Sequence, residues 1–126
     1  MDDLIGQRFT LVDGIAVARL RGTVSAQDAI AWIGQTLAFA RQCRHTRLLM
    51  STRAAGGFQP PSLARRVEMI REWAAVAGNE VAVALVCPAE FIDPQKFGVT
   101  VAAGFGLTAD VFAHEREALE WLRSLA

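Results

Sequence analysis

Gln7-Arg-Phe-Thr-Leu-Val-Asp-Gly-Ile-Ala-Val-Ala-Arg-Leu-Arg-Gly22 reads as two β-rich runs, Gln7–Val12 and Ile15–Gly22, joined by Asp13-Gly14. Asp-Gly between apolar runs is a strong hairpin signal, because a type I′ turn needs positive φ at both central positions. In the second run Ile15 and Val17 fall on one face and Ala16, Ala18 and Leu20 on the other, as the period of two in a strand requires. A helix entry follows at Ser25-Ala-Gln-Asp28, a capping-box-like start with the acid in the third helical position. The spacing predicts a helix over Ala26–Gln42 that buries Ala29, Ile30, Ile33, Leu37 and Ala40, with Trp32 and Phe39 on the flank of that stripe.

Beyond this opening the periods alternate. Leu48-Leu49-Met50, within Arg47–Thr52, is a short continuous apolar run of the kind a buried parallel strand carries. Ala54-Ala-Gly-Gly-Phe-Gln-Pro-Pro61 is expected to be a loop, on its paired glycines and prolines. A second helix is expected from Ser62 to Ala77, ended by Gly78-Asn79, with Leu63, Val67, Ile70 and Ala74 on its apolar face. Val81–Cys87 is a further buried strand, closed by Pro88. Asp93-Pro94 is an N-cap followed by a first-turn proline, opening a third helix through about Ala103. Asp110–Ala113 is the last strand, and His114–Leu125 a helix with Ala118, Leu119, Trp121, Leu122 and Leu125 inside.

The order β-β-α-β-α-β-α-β-α implies an α/β fold: an open, mostly parallel sheet with an N-terminal hairpin and helices over it. All 126 residues are expected to form one domain, a length at which no disulfide or metal is needed for stability. No apolar run reaches the roughly 18 residues of a spanning helix. The start, Met1-Asp-Asp-Leu-Ile-Gly6, carries acids where an export signal carries bases. Two cysteines without a pairing pattern, Cys43 and Cys87, suit a reducing compartment, so the expected location is the cytoplasm.

Zero formal net charge argues against general nucleic-acid affinity, although the charges are unevenly placed. Between Arg41 and Arg71 seven arginines face one acid, Glu68, whereas the chain from Glu72 onward is acidic. Catalytic signatures are missing: there is no Gly-x-Ser-x-Gly elbow, no His-Glu-x-x-His and no phosphate-binding loop. Gly104-Phe-Gly106-Leu-Thr-Ala109 fits a dinucleotide fingerprint by letter, but it follows a helix and precedes a strand, the reverse of the required context. Cys43-Arg-His45 lacks further ligands at metal-binding spacing. The expectation is therefore a non-enzymatic chain without metal or cofactor.

The hairpin, Gly22-Thr-Val-Ser25, Arg47-Leu-Leu-Met-Ser-Thr-Arg53 and the closing Val111-Phe-Ala-His-Glu-Arg-Glu-Ala-Leu-Glu-Trp-Leu122 form a set of four stretches. Together they resemble the small stand-alone bacterial proteins of the STAS-like group, relatives in fold of the anti-sigma-factor antagonists and grouped with CRAL-TRIO-type lipid-binding domains. The resemblance implies a binding or regulatory module. Phosphorylatable antagonists carry an Asp-Ser pair at the start of the second helix; here the stretch is Gln59-Pro-Pro-Ser62. Ser62 is the candidate phosphorylation position, where a phosphate would meet Arg65-Arg66, but a helix-capping serine accounts for it more simply.

The candidate ligand site is a basic rim of Arg53, Phe58, Arg65 and Arg66. Arg66 falls within the apolar arc of Met69, Ile70 and Trp73, and Arg53 ends the preceding strand, at the sheet edge where open α/β folds bind ligands. Phe91, Ile92, Phe97 and Phe105 would add an apolar wall. Two descriptions of the rim stand side by side: an anion site, or arginines that snorkel to a solvated helix end. The functional expectation is a module for an anionic amphiphile such as a phospholipid head group. The alternative is a protein–protein regulator without a serine phosphoswitch, docking an acidic partner or a second copy of itself through the Trp32/Phe39 flank; a second alternative is an enzyme with an unrecognised site.

Overall fold

The computed structural model describes residues 9–125. Its elements are β1 (Thr10–Val12), β2 (Ile15–Thr23), α1 (Ala26–Gln42), β3 (Arg47–Gly56), α2 (Leu63–Ala77), β4 (Ala82–Val86), a short 3₁₀ turn (Ala89–Phe91), α3 (Phe97–Gly104), β5 (Ala109–Phe112) and α4 (Glu115–Ser124). The fold is α/β, with one five-stranded sheet in the order β1-β2-β3-β4-β5. β1 and β2 are antiparallel, with Val12 opposite Ile15, and the remaining pairs are parallel. Asp13 and Gly14 have φ of 52° and 80°, the two positive values that the hairpin turn demands. The Gln7–Arg8 start of the expected first run lies outside the described residues.

Because each parallel strand is laid down beside its predecessor, every right-handed crossover sends its helix to the same face of the sheet. The buried residues divide accordingly. On one face Ala16, Leu20, Leu48, Met50 and Val83 pack against Ala29, Ile33 and Leu37 of α1, Ile70 and Ala77 of α2, and Ala102 of α3. α4 covers the opposite face, where Ala118 and Leu122 meet Ile15, Val17, Leu49, Ala84 and Val86. The sheet is thus covered by three helices on one side and one on the other.

Helix boundaries follow their caps. Ser25 Oγ accepts from Asp28 N–H at 3.0 Å, and Ser62 Oγ accepts from Arg65 N–H at 3.2 Å. α2 ends where Gly78 turns left-handed at φ 58°.

Four local expectations need correction. Ala54, Ala55 and Gly56 are strand rather than loop: the β2–β3 register passes from Arg19↔Ser51 to Arg21↔Ala54, setting Thr52 and Arg53 opposite Leu20 alone. This β-bulge lets β3 continue along Arg21–Thr23, and the turn begins at Gly57, with φ 95°. Trp32 is not on a flank but is 2% exposed, packed in the three-helix face. Leu63, expected inside, is 57% exposed, one position past the cap. Finally, Asp93 does not begin α3. Its carboxylate accepts from the N–H groups of Gln95 and Phe97, forming a turn, and the helix starts at Phe97 after Lys96 at φ 52°. Gly98, Val99 and Thr100 are weak helix formers, which fits a helix of only eight residues.

Candidate functional site

Between the sheet and the three helices lies a half-enclosed cavity of about 180 Å³. Its floor is the three-helix face of β3, β4 and β5, formed by Met50, Thr52, Val83, Leu85 and Val111. One wall is α1, through Ile30, Ile33 and Leu37; the other is α2, through Met69, Ile70 and Trp73; α3 contributes Gly98, Val99 and Ala102. The space exists because of local sequence choices. Three small residues, Ala29, Gly98 and Ala102, stand where larger ones would fill the gap between layers. An alanine Cβ at Gly98 would meet only Ile70 Cδ1, at 3.5 Å.

The segments that leave the carboxyl ends of β3 and β4 close the cavity there. Phe58 stacks edge-on against Phe91, with ring centroids 5.6 Å apart, and Gln59, Pro61 and Ile92 complete that end. Four charged residues also border the cavity: Arg66, Asp93, Lys96 and Asp110. All four have a partner within the protein. Asp93 caps its own turn, while Lys96 Nζ donates to Asp110 Oδ1 at 2.7 Å and lies 5.2 Å from the centre of the Phe112 ring. Arg66 differs. Its Nε donates to the Pro61 carbonyl at 3.1 Å, and its remaining guanidinium donors have no partner among the described residues. The Cys87 thiol, in the same lining, is pushed up to about 11 by burial, with the Arg66 charge acting against that rise and Glu90 adding to it. At neutral pH this thiol is protonated and a poor nucleophile.

The four-residue rim expected from the sequence does not converge. Phe58 and Arg66 line the cavity. Arg65 lies beside it on α2 but turns outward and pairs with Glu68 at 3.2 Å. Arg53 is on the opposite face of the sheet, where its Nη1 donates to the Ala113 carbonyl and to His114 Nδ1. The reason is the pleat: Arg53 shares the side of Leu49 and Ser51, which is the α4 side. Arg53 therefore holds the entry to α4 and does not contribute to an anion site with Arg66. Phe91 and Ile92 do form part of the apolar wall, whereas Phe97 and Phe105 are 37% and 42% exposed and lie outside it. Ser62 acts as the cap of α2. Of the expected docking flank, Trp32 is buried, and the half-buried Phe39 packs against Phe9 at 5.5 Å.

Trp73, Met69, Lys96, Cys87 and Asp110 are cavity residues that the sequence reading did not assign to a site. Trp73 and Met69 carried a signal, since they share the helical arc of Arg66. Nothing local marked the others. Among the described residues no cluster of three or more histidine, cysteine or acidic side chains could hold a metal, and no helix is long and apolar enough to cross a membrane. No family model, curated protein or solved structure matches the chain. Any functional reading therefore rests on the cavity and its rim.

Proposed function

We propose that this chain is a binding protein that takes a small, mainly apolar molecule between its sheet and its three-helix layer. The carrying observation is the cavity itself: space between well-packed layers, walled by aliphatic, aromatic and sulfur-containing side chains, with few polar groups placed at its edge. Ligand sites generally have this composition. Volume sets the scale of the guest. An apolar cavity of about 150 Å³ accepts benzene, so the present one suits a body of on the order of six to ten carbon atoms. An empty apolar void withholds about 24 cal/mol per Å³ from a fold, so a guest that filled this one would recover at most on the order of 4 kcal/mol. The likeness to STAS-like binding modules agrees with this reading but does not carry it.

The test is titration with neutral probes of six to ten carbons, such as octan-1-ol, followed by Trp73 fluorescence, alongside native mass spectrometry of the freshly purified protein. Saturable binding to the wild type, lost in a folded Gly98→Leu variant whose side chain occupies the space beside Ile70, is the expected result. A wild type that binds none of these probes saturably, and retains no small molecule, would overturn the proposal.

A further inference from the structure

We infer that the guest of this cavity is a carboxylate amphiphile, with its anionic end on the Arg66 guanidinium and its apolar body against Ile30, Ile33, Met69 and Trp73. This rests on the cavity reading above and goes beyond it by naming the chemical class of the ligand.

The charges around the cavity decide the sign of the head group. Asp93 receives two backbone N–H bonds, and Asp110 receives the Lys96 ammonium, so each acid already has donors from the protein itself. Lys96 is in turn held by Asp110 and by the Phe112 ring. Arg66 is half-buried and permanently charged, and it has one hydrogen bond, to a neutral carbonyl. Gln35 Oε1 is the only fully buried side-chain polar atom without a partner among the described residues, so the open Arg66 donors are solvent-accessible and an anion can reach them at the edge of the cavity. Arg66 lines the same cavity as the Cys87 thiol.

The number of available cations decides which anion. A carboxylate needs one guanidinium fork, presented as two parallel N–H donors. A phosphate dianion calls for several donors, yet Arg65 is paired with Glu68 and Arg53 lies across the sheet. The phospholipid head group expected from the basic middle third is thus a poorer match than a monocarboxylate.

The experiment compares octanoate, octan-1-ol and octyl phosphate by isothermal titration at pH 7.5, on the wild type and on Arg66→Met, which keeps the apolar stem. One charge-assisted pair corresponds to roughly tenfold or more in affinity. Wild type should bind octanoate at least about tenfold more tightly than octan-1-ol, and Arg66→Met should erase that preference while leaving octan-1-ol binding in place, which also reports that the variant is folded. Equal binding of octanoate and octan-1-ol to the wild type, or a preference that survives Arg66→Met, overturns the carboxylate assignment and leaves the cavity reading standing. Octyl phosphate binding more tightly than octanoate overturns it in favour of a phosphate. If the wild type binds none of the three, the cavity reading fails and the inference goes with it.

Discussion

Glu115→Gln should destabilise the protein at neutral pH by about 1–1.5 kcal/mol and leave it nearly unaffected near pH 3. Glu115 opens α4, and Arg19 on β2 reaches it with a two-pronged contact, Nε to Oε2 and Nη2 to Oε1, both at 2.8 Å. Exposed ion pairs contribute about 0–1 kcal/mol. The two side chains here are 35% and 34% exposed, and the contact is bidentate, so the top of that range, about 1 kcal/mol, is appropriate. A carboxylate in the first turn of a helix adds about 0.3–1 kcal/mol through the backbone dipole, the lower part being apt at a partly solvated site. The sign with pH follows from the carboxyl group. The hydrogen bonds from Arg19 hold Glu115 below its usual range, against partial burial that raises it, and the Arg19 and Arg21 charges act in the same downward sense. The folded state therefore binds fewer protons than the unfolded chain. Its extra stability is fully present above the unfolded value of about 4.3 and is lost as pH falls through the folded-state value. Urea unfolding of wild type, Glu115→Gln, Arg19→Met and the double variant at pH 7 and pH 3 measures both the pH dependence and the coupling. A Glu115→Gln penalty as large at pH 3 as at pH 7, or an Arg19→Met cost unchanged by removing the acid, would refute the reasoning.

Three further outcomes are expected. Gly98→Ala should raise stability by about 0.5–1 kcal/mol in thermal unfolding, because the site is helical and its new methyl meets only Ile70 Cδ1 at van der Waals distance. Gly57→Ala should cost on the order of 1–3 kcal/mol in the same assay, since φ is 95° and a Cβ would sit 2.7 Å from Thr23 Cγ2. In native protein a thiol reagent at pH 8 should modify exposed Cys43 rapidly and Cys87 only slowly, both becoming equally reactive in urea, because burial keeps Cys87 protonated; mass spectrometry of labelled peptides distinguishes the two.

The parts of the fold legible in the chain are those governed by neighbours in sequence. Asp13-Gly14, Ser25 and Gly78 each specify a local backbone geometry, and the hairpin, the start of α1 and the end of α2 lie where those residues put them. Misreadings arise where distant pairing overrides local chemistry. Ala54-Ala-Gly56 has the composition of a loop, yet β2 offers it a partner and the bulge at Thr52–Arg53 restores register. The candidate site failed for a related reason. Arg53, Arg65 and Arg66 are close in sequence, but the pleat places Arg53 on one side of the sheet and α2 lies on the other. Strand parity was readable, since Thr52 alternates with Arg53. What periodicity did not supply was that three successive helices share one face, and the cavity between layers follows from that. Arg66, by contrast, was legible because its helical arc coincides with Met69 and Trp73.

The one-sided placement of α1, α2 and α3 has a consequence for how the chain acquires its structure. Each parallel strand joins the one completed just before it, so every pairing closes only a single crossover, and the sheet can grow stepwise as the polypeptide emerges from its N-terminal side. Coverage of the second face obeys a different schedule. Ile15, Val17, Leu49, Ala84 and Val86 are in place once β4 has docked, but their helical cover among the described residues, Glu115–Ser124, is made well after β4. Until those ten residues arrive, a nascent chain carries a bare apolar sheet surface that other molecules can stick to. A premature stop before Glu115 should therefore yield insoluble material even though the hairpin, three helices and every strand are present. In a cell the synthesis of this protein has its most hazardous interval between the completion of β4 and the arrival of α4.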